Sequence, residues 1–228
     1  MTRDDDRAIP GDPPLAVDGN HRWIRLALAA LGCLVLLGAA AGVLWWQDWR
    51  YSLPTPRPQG LVQVAPGSRV RAASLDAMLP SPNGRPVLLT FLNPRCPCSR
   101  FNLDHVRTLQ REWAGRVDFA AVVEGSARSR AAGELARLRL DMEAIPDPDG
   151  RIAAAYGIYS SPQAVVLDAQ RRLYFRGNYN ASRYCTEAAT EYARLALDSL
   201  SMGQPTPRFP GTEVAYGCEL PSRKGHHD

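Results

Sequence analysis

The chain has 228 residues, of which 45% are hydrophobic and 22% are charged, and its formal net charge is +4. These fractions are close to those of ordinary globular proteins, which makes one packed core feasible. The basic residues are almost all arginine, and they are mixed with acidic residues instead of being interleaved with aromatic ones. This pattern is typical of solvated helix faces and excludes a single-strand binding platform, so we predict no nucleic-acid partner.

The first predicted element is a membrane-spanning helix at residues 26–46, where the sequence is an uninterrupted apolar run. At 1.5 Å per helical residue this run is long enough for a hydrocarbon core of about 30 Å. Arg22 and Arg25 precede the run, and Trp45 and Trp46 stand at its far end, where interfacial aromatic residues are common. We therefore predict a single membrane span, with the N-terminus in the cytoplasm and the main domain on the other side of the membrane.

Two alternatives to this anchor stay open. The small residues at 38–42 are compatible with a cleaved signal peptide, and the stretch before Cys33 faintly resembles a lipoprotein cleavage site. In both cases the apolar run continues past the candidate cleavage position, which favours the uncleaved span. Gly38 and Gly42 have the G-x-x-x-G spacing that lets two helices pack closely, so a homodimer through the span is also possible.

Composition divides the chain into five segments. Residues 1–25 are predicted to be a disordered cytoplasmic tail, and residues 26–46 the transmembrane helix. Residues 47–66 carry several prolines and are predicted to be a semi-rigid linker. Residues 67–204 form the predicted folded domain. Residues 205–228 form a C-terminal tail that we predict to be irregular.

Strands and helices alternate along the predicted domain. The resulting order, β-α-β-α-β-β-α, implies an α/β fold in which a central mixed sheet is flanked by helices on both faces. The predicted elements, in chain order, are strand 87–92, helix 97–114, strand 117–123, helix 127–139, a short extended piece near 144–145, a short helix at 151–156, strands 163–168 and 172–177, and a helix from about 186 to 202.

The motif Cys96-Pro97-Cys98 lies between the first predicted strand and the helix that follows it. Backbone N–H groups at the start of a helix favour negative charge, and the thiolate is the reactive form of cysteine. Residues two apart on a regular helix point in different directions. A bond between Cys96 and Cys98 therefore requires Cys96 to precede the first helical turn, with Pro97 as the residue that starts the helix.

From Pro86 to about Leu200 the chain resembles the thioredoxin-like superfamily. The nearer branch contains membrane-anchored periplasmic thiol–disulfide oxidoreductases and redoxins of the alkyl hydroperoxide reductase/thiol-specific antioxidant type. The matching segments are Phe91 five residues before Cys96, the turn and short helix at 147–158, the pair Ser161-Pro162, and the hairpin segments 165–168 and 174–177.

The resemblance implies roles for five residues. Cys96 is expected to be the nucleophile, and Cys98 is expected to resolve its mixed disulfide. Pro162 is expected to follow a cis peptide bond, so that the Ser161 backbone and Pro97 contact an extended substrate strand. The chain also departs from the family, because Ser99 stands where C-x-x-C proteins have their second cysteine and Asn93 stands where typical peroxiredoxins have threonine.

Two further cysteines, Cys185 and Cys218, lie near the end of the chain. Cys185 stands before the last predicted helix and Cys218 stands in the tail. We predict a structural disulfide between them, which would pin the tail to that helix. The alternative is that one of the two resolves the active thiol.

Together with the resemblance, these features predict a single-pass protein of the bacterial inner membrane whose main domain faces the periplasm. We expect it to be a thiol–disulfide oxidoreductase whose partners are periplasmic thiol or disulfide proteins. Two other functions stay open: a thioredoxin-like copper or thiol chaperone, and a thiol peroxidase of the redoxin type. We predict no metal site and no cofactor. The alternative is Cu(I) bound by Cys96 and Cys98, because thiolates are ligands for this soft ion.

Overall fold

The structure is a computed structural model that describes residues 19–70, 79, 84–181, 187–209 and 214–220. The chain divides into two compact units, with the boundary between Asp48 and Trp49. The disorder predicted for the N-terminus falls mainly on residues 1–18, which lie outside the described residues. Residues 221–228 of the predicted C-terminal tail lie outside them as well. The five-segment division of the chain stays a prediction.

The first unit is built on helix α1 (Gly19–Ser52), which has 34 residues. Within it, the most apolar 18-residue window of His21–Trp49 has a mean hydropathy of 2.4, and none of that window is buried. Among the described residues this is the one helix long and apolar enough to cross a membrane. It covers the predicted span and continues through residues 47–52, which we expected in the linker. Its orientation in a membrane stays a prediction.

The second unit alternates strands and helices. Its elements are β1 (Val87–Leu92), α2 (Pro97–Phe101), α3 (Leu103–Glu112), β2 (Asp118–Glu124), α4 (Arg128–Arg137), β3 (Glu143–Asp147), α5 (Arg151–Tyr156), β4 (Ser160–Ser161), β5 (Gln163–Leu167), β6 (Leu173–Gly177), α6 (Tyr192–Ser201) and β7 (Cys218–Glu219). Five of the strands form a sheet with the order β3-β2-β1-β5-β6. Strands β1, β2 and β3 run parallel, whereas β5 and β6 are antiparallel to their neighbours. A separate two-stranded sheet pairs β4 with β7.

This architecture confirms the predicted α/β fold with a central mixed sheet. Two predicted helices differ from the observed ones. The helix predicted at 97–114 is divided into α2 and α3 at Asn102, whose N–H group returns to the Ser99 carbonyl at 3.2 Å while its amide donates to the Cys98 carbonyl at 3.1 Å. The last helix begins at Tyr192 and is preceded by a short 3-10 turn at Ala188–Thr190.

Strand β1 is fully buried because both faces of the sheet are covered. Leu88 and Leu92 belong to the hydrophobic cluster on one face, together with residues of α3 and α6. Leu89 and Phe91 belong to the cluster on the opposite face, with residues of α5. Since alternate strand residues point to opposite faces, these two clusters fix β1 at the centre of the fold and fix where its last residue lies.

Two buried carboxyl groups end the neighbouring strands β2 and β3. Glu124 and Asp147 are register partners in the parallel pair. The Asp147 carboxylate accepts the N–H groups of Ile152 at 3.1 Å and Ala153 at 2.9 Å, at the start of α5. Both carboxyl oxygens of Glu124 are buried without a hydrogen-bond partner among the described residues. Burial, and secondarily the charge of Asp147, raise the pKa of Glu124 well above its usual range.

We expect Glu124→Gln to stabilise the domain at neutral pH. A folded-state pKa above the unfolded value means that the folded protein binds the proton more tightly. Stability is then greatest below the unfolded pKa and is lost as the pH rises toward the folded pKa. Each unit of that difference corresponds to about 1.4 kcal/mol.

Thermal unfolding of the variant and the parent, followed by circular dichroism from about pH 4 to about pH 8, measures this effect. The variant should melt at a higher temperature at the upper end of the range, and the difference should shrink toward the lower end. A difference that does not change with pH would contradict a folded-state pKa of Glu124 above its unfolded value.

Candidate active site

The turn after β1 places Cys96 at the edge of the sheet. The Asn93 side-chain oxygen accepts the Arg95 N–H at 2.9 Å, and the Asn93 carbonyl accepts the Cys96 N–H at 3.0 Å. Cys96 has an extended backbone and is the residue before α2, which Pro97 starts. Cys96 therefore precedes the first helical turn, and its position is set by the end of a buried strand.

Ser161 lies against this turn and connects three segments of the chain. Its hydroxyl accepts the Asn93 N–H at 2.7 Å and lies 3.0 Å from the Ser99 hydroxyl. Its carbonyl oxygen is 3.7 Å from the Cys96 Sγ. The peptide bond from Ser161 to Pro162 is cis, as expected. The Ser161 backbone thus stands directly beside the sulfur of Cys96.

Three cysteine sulfurs meet at this position. Cys96 and Cys218 are joined by a disulfide, with the two sulfurs 2.00 Å apart. Cys98 is a buried free thiol, and its Sγ lies 3.9 Å from the Cys218 Sγ. The Cys218 sulfur belongs to the disulfide and has no S–H group, so the Cys98 thiol is the donor in this contact. All three Sγ atoms lie within 4.8 Å of one another, which brings the cysteine from the tail into the motif.

The predicted bridge between Cys185 and Cys218 is wrong, because the structure pairs Cys218 with Cys96 across a sequence separation of 122. Cys185 itself lies outside the described residues. The alternative is that Cys185 or Cys218 resolves the active thiol. The bond between Cys218 and Cys96 is compatible with this role for Cys218. Cys96 and Cys98 are not bonded to each other, because Cys96 is bonded to Cys218 and Cys98 is a free thiol.

The C-terminal segment at residues 214–220, the docked tail, makes noncovalent contacts with the rest of the domain in addition to the disulfide. Within it, β7 pairs antiparallel with β4, and Cys218 lies opposite Ser161. Thr55 adds a second set of contacts: its N–H donates to the Ala215 carbonyl at 2.8 Å, and its hydroxyl donates to the Gly217 carbonyl at 3.0 Å. Part of the predicted linker therefore fixes part of the predicted tail.

Two further side chains bind the backbone of the docked tail. The Tyr159 hydroxyl accepts the Ala215 N–H at 3.0 Å. Asn178 donates from its amide nitrogen to the Val214 carbonyl at 2.8 Å and accepts the Tyr216 N–H at 3.3 Å. Our sequence reasoning did not single out Thr55, Tyr159 or Asn178, because a polar residue that will bind a distant backbone looks like any other polar residue.

Gly217 is the closest point of contact between the docked tail and β4. A Cβ atom at this position would lie 2.2 Å from the Ser161 carbonyl oxygen and 2.6 Å from the Ser160 hydroxyl oxygen. The first of these neighbours is a backbone atom, which cannot rotate away as a side chain can. Glycine is therefore required here by close approach of two backbones.

We expect Gly217→Ala to displace the docked tail and to lower the fraction of molecules with the Cys96–Cys218 disulfide. Gly133→Ala in α4 is the matched control, because a Cβ there meets nothing within 4 Å. Non-reducing peptide mapping of the two variants, equilibrated in the same thiol buffer, measures the pairing. In the Gly217 variant, the ratio of the disulfide to the free thiols should be at least about tenfold lower than in the control. Overpacking that costs ~1.4 kcal/mol or more has this effect on an equilibrium. Equal pairing in both variants would show that the close approach is unimportant.

Comparisons with known proteins agree with this architecture. Residues 68–219, more than half of the chain, match the family described as a domain of unknown function (DUF6436). A comparison with curated proteins finds no match. A structure of a hypothetical protein from Sinorhizobium meliloti 1021 is 19% identical, with a TM-score of 0.58 over 72% of this chain and 98% of that one. A structure of an uncharacterized conserved protein from Geobacillus kaustophilus is 20% identical, with a TM-score of 0.54 over 62% of this chain and 79% of that one.

A structure described as a putative thiol:disulfide interchange protein DsbE from Chlorobium tepidum is 19% identical, with a TM-score of 0.42 over 54% of this chain and 81% of that one. From the likenesses to the Sinorhizobium and Geobacillus structures we take only the fold, a central mixed sheet flanked by helices. The family match covers the central sheet, the cysteine motif and the tail cysteine together. The chain belongs to the DUF6436 family.

Proposed function

We propose that this chain is a membrane-anchored thiol–disulfide oxidoreductase whose domain faces the bacterial periplasm. The observation that carries the proposal is the meeting of three cysteine sulfurs, two of them bonded and the third 3.9 Å from that bond, beside the Ser161 backbone. A disulfide with a free thiol in reach is equipped for thiol–disulfide exchange. The apolar helix α1 supports the anchor, and an oxidising compartment supports the use of disulfides.

In the reduced protein, the Cys96 thiolate attacks one sulfur of a substrate disulfide. A bond forms between Cys96 and that sulfur, and the other substrate sulfur leaves as a thiolate that takes up a proton. The Cys218 thiolate then attacks the Cys96 Sγ, which closes the observed disulfide and releases the second substrate thiol. Two electrons pass from the protein dithiol to the substrate disulfide, and the protein is left oxidised.

Cys98 gives the site a second exchange partner. Its sulfur is 3.9 Å from the Cys218 Sγ, and attack there forms a Cys98–Cys218 disulfide and frees Cys96. The proton leaves Cys98 and is taken up by Cys96, so the number of disulfides does not change. In this scheme Cys98 returns Cys96 to the free thiol while Cys218 stays bonded. Its burial restricts it to partners inside the protein.

We expect Cys96→Ser to abolish exchange with a protein disulfide, and Cys218→Ser to allow the first step but slow the release of the product. Each is compared with Cys33→Ser, which alters an exposed helix residue outside the site. The assay is reduction of a protein disulfide by the full-length chain in detergent, with trapped complexes identified by mass spectrometry.

The Cys218 variant should accumulate a mixed disulfide on Cys96 that the parent resolves. If Cys96→Ser retains the parent rate, or if the trapped sulfur belongs to another cysteine, Cys96 is not the nucleophile and the proposal fails.

A second candidate function, copper binding, is supported by the same cluster of sulfurs. Three thiolates within 4.8 Å of one another are a suitable donor set for soft Cu(I) once the disulfide is reduced. Because the noncovalent contacts of the docked tail hold Cys218 at the site, the third ligand remains nearby in the reduced protein.

We expect the reduced chain to bind one Cu(I), with at least about tenfold weaker affinity in Cys218→Ser than in Cys33→Ser. Competition with a chromophoric Cu(I) chelator measures both affinities under anaerobic conditions. Equal affinities in the two variants would exclude a three-sulfur site.

A further inference from the structure

The docked tail occupies the edge of β4 that lies beside Cys96. It does so as an extended strand, with Cys218 opposite Ser161 and with its sulfur bonded to Cys96. We propose that the docked tail is an internal substrate mimic: this edge binds an extended polypeptide in which glycine directly precedes the reacting cysteine, and a substrate strand must displace the tail to react. This inference rests on the proposed function and adds the class of substrate to it.

The tail and a substrate compete for one place because both must bring a sulfur to the same atom. The Cys96 Sγ is buried, and the Ser161 carbonyl oxygen lies 3.7 Å from it. A substrate sulfur bonded to Cys96 takes the position that Cys218 has in the disulfide. The chain on either side of that sulfur then runs along β4, where β7 runs now. Strand addition to an exposed edge is a general mode of peptide binding.

The preference for glycine follows from the fit at Gly217. Any side chain before the cysteine would carry a Cβ into the Ser161 carbonyl at 2.2 Å, and the carbon of that carbonyl lies at 2.8 Å. The residue after the cysteine is under no such restriction, because Glu219 is exposed. The edge therefore selects the residue before the cysteine and tolerates changes in the residue after it.

The reaction with a matching substrate balances as an exchange. In the reduced protein, the Cys96 thiolate attacks the sulfur of the cysteine in the glycine–cysteine pair, a Cys96–substrate disulfide forms, and the sulfur bonded to that cysteine leaves as a thiolate. The Cys218 thiolate then attacks the Cys96 Sγ, which returns the docked tail to the edge and expels the reduced substrate. The protein dithiol supplies both electrons.

The test uses three peptides that copy residues 214–220, each activated at its cysteine as a mixed disulfide with thionitrobenzoate. One has the native sequence, one replaces the residue corresponding to Gly217 with alanine, and one replaces the residue corresponding to Glu219 with alanine. The protein is the reduced full-length chain in detergent, with Cys33, Cys98, Cys185 and Cys218 replaced by serine, so that Cys96 is the one thiol. Release of the coloured thiol measures the rate, and mass spectrometry identifies the adduct on Cys96.

We expect the native peptide and the peptide altered after the cysteine to react at similar rates, and the peptide altered before it at least about tenfold more slowly. Adding Gly217→Ala to the protein should speed the reaction of the native peptide several-fold, because the tail then leaves the edge. Circular dichroism of the serine variant and of the parent chain shows whether the serine replacements impair folding.

Two results overturn the inference, and they are distinguishable. If all three peptides form the Cys96 adduct at the same rate, the edge does not select glycine, although the proposed oxidoreductase function stands. If no peptide reacts at Cys96 in either the serine variant or the parent, while Cys96 reacts with the free aromatic disulfide, polypeptide exchange itself fails and the inference fails with it.

Discussion

The arrangement of the site depends on the hydrogen bonds of one buried residue, Ser161. Its hydroxyl accepts the Asn93 N–H at 2.7 Å and so fixes the turn that presents Cys96. Its position opposite Cys218 in the strand pair fixes the docked tail. Both chain segments are far from Ser161 in sequence, and each brings one sulfur of the disulfide. Because an unpaired polar group in the interior is costly, replacing any one of these partners would disturb the others.

The sheet topology explains why a second group of unusual residues lies at the same edge. In the parallel part of a sheet the carboxyl ends of neighbouring strands share one edge, and the turn to Cys96 leaves from the end of β1. The register pairs Leu92 of β1 with Val123 of β2, so Glu124 lies one residue further along that edge. Glu124 in turn lies opposite Asp147 of β3. One edge of the sheet therefore holds both the sulfur chemistry and a buried acidic pair.

Much of the fold could be predicted from the sequence because its signals are local. Strand β1 is a short apolar run, and α5 follows the turn residues Asp147 to Gly150, so both were predicted with their observed bounds. The partner of Cys218 could not be predicted in this way. Cys185 is nearer to Cys218 in sequence. Cys218 nevertheless pairs with Cys96, from which it is separated by 122 residues, because strand β7 pairs with β4 beside Cys96. That docking depends on the close fit at Gly217 and on contacts from Thr55, in a stretch whose prolines indicated only a linker.

The docked tail also determines which molecules can compete for Cys96. Its noncovalent contacts hold the Cys218 sulfur beside Cys96, so closing the disulfide is an intramolecular reaction with a high effective concentration. A small thiol in solution must compete with that concentration and gains no hydrogen bonds at the edge of β4. A polypeptide strand gains the backbone pairing that the tail gives up, and this offsets much of the cost of displacing it. In the proposed reaction, the same contacts that close the site would favour extended polypeptides over small thiols as partners.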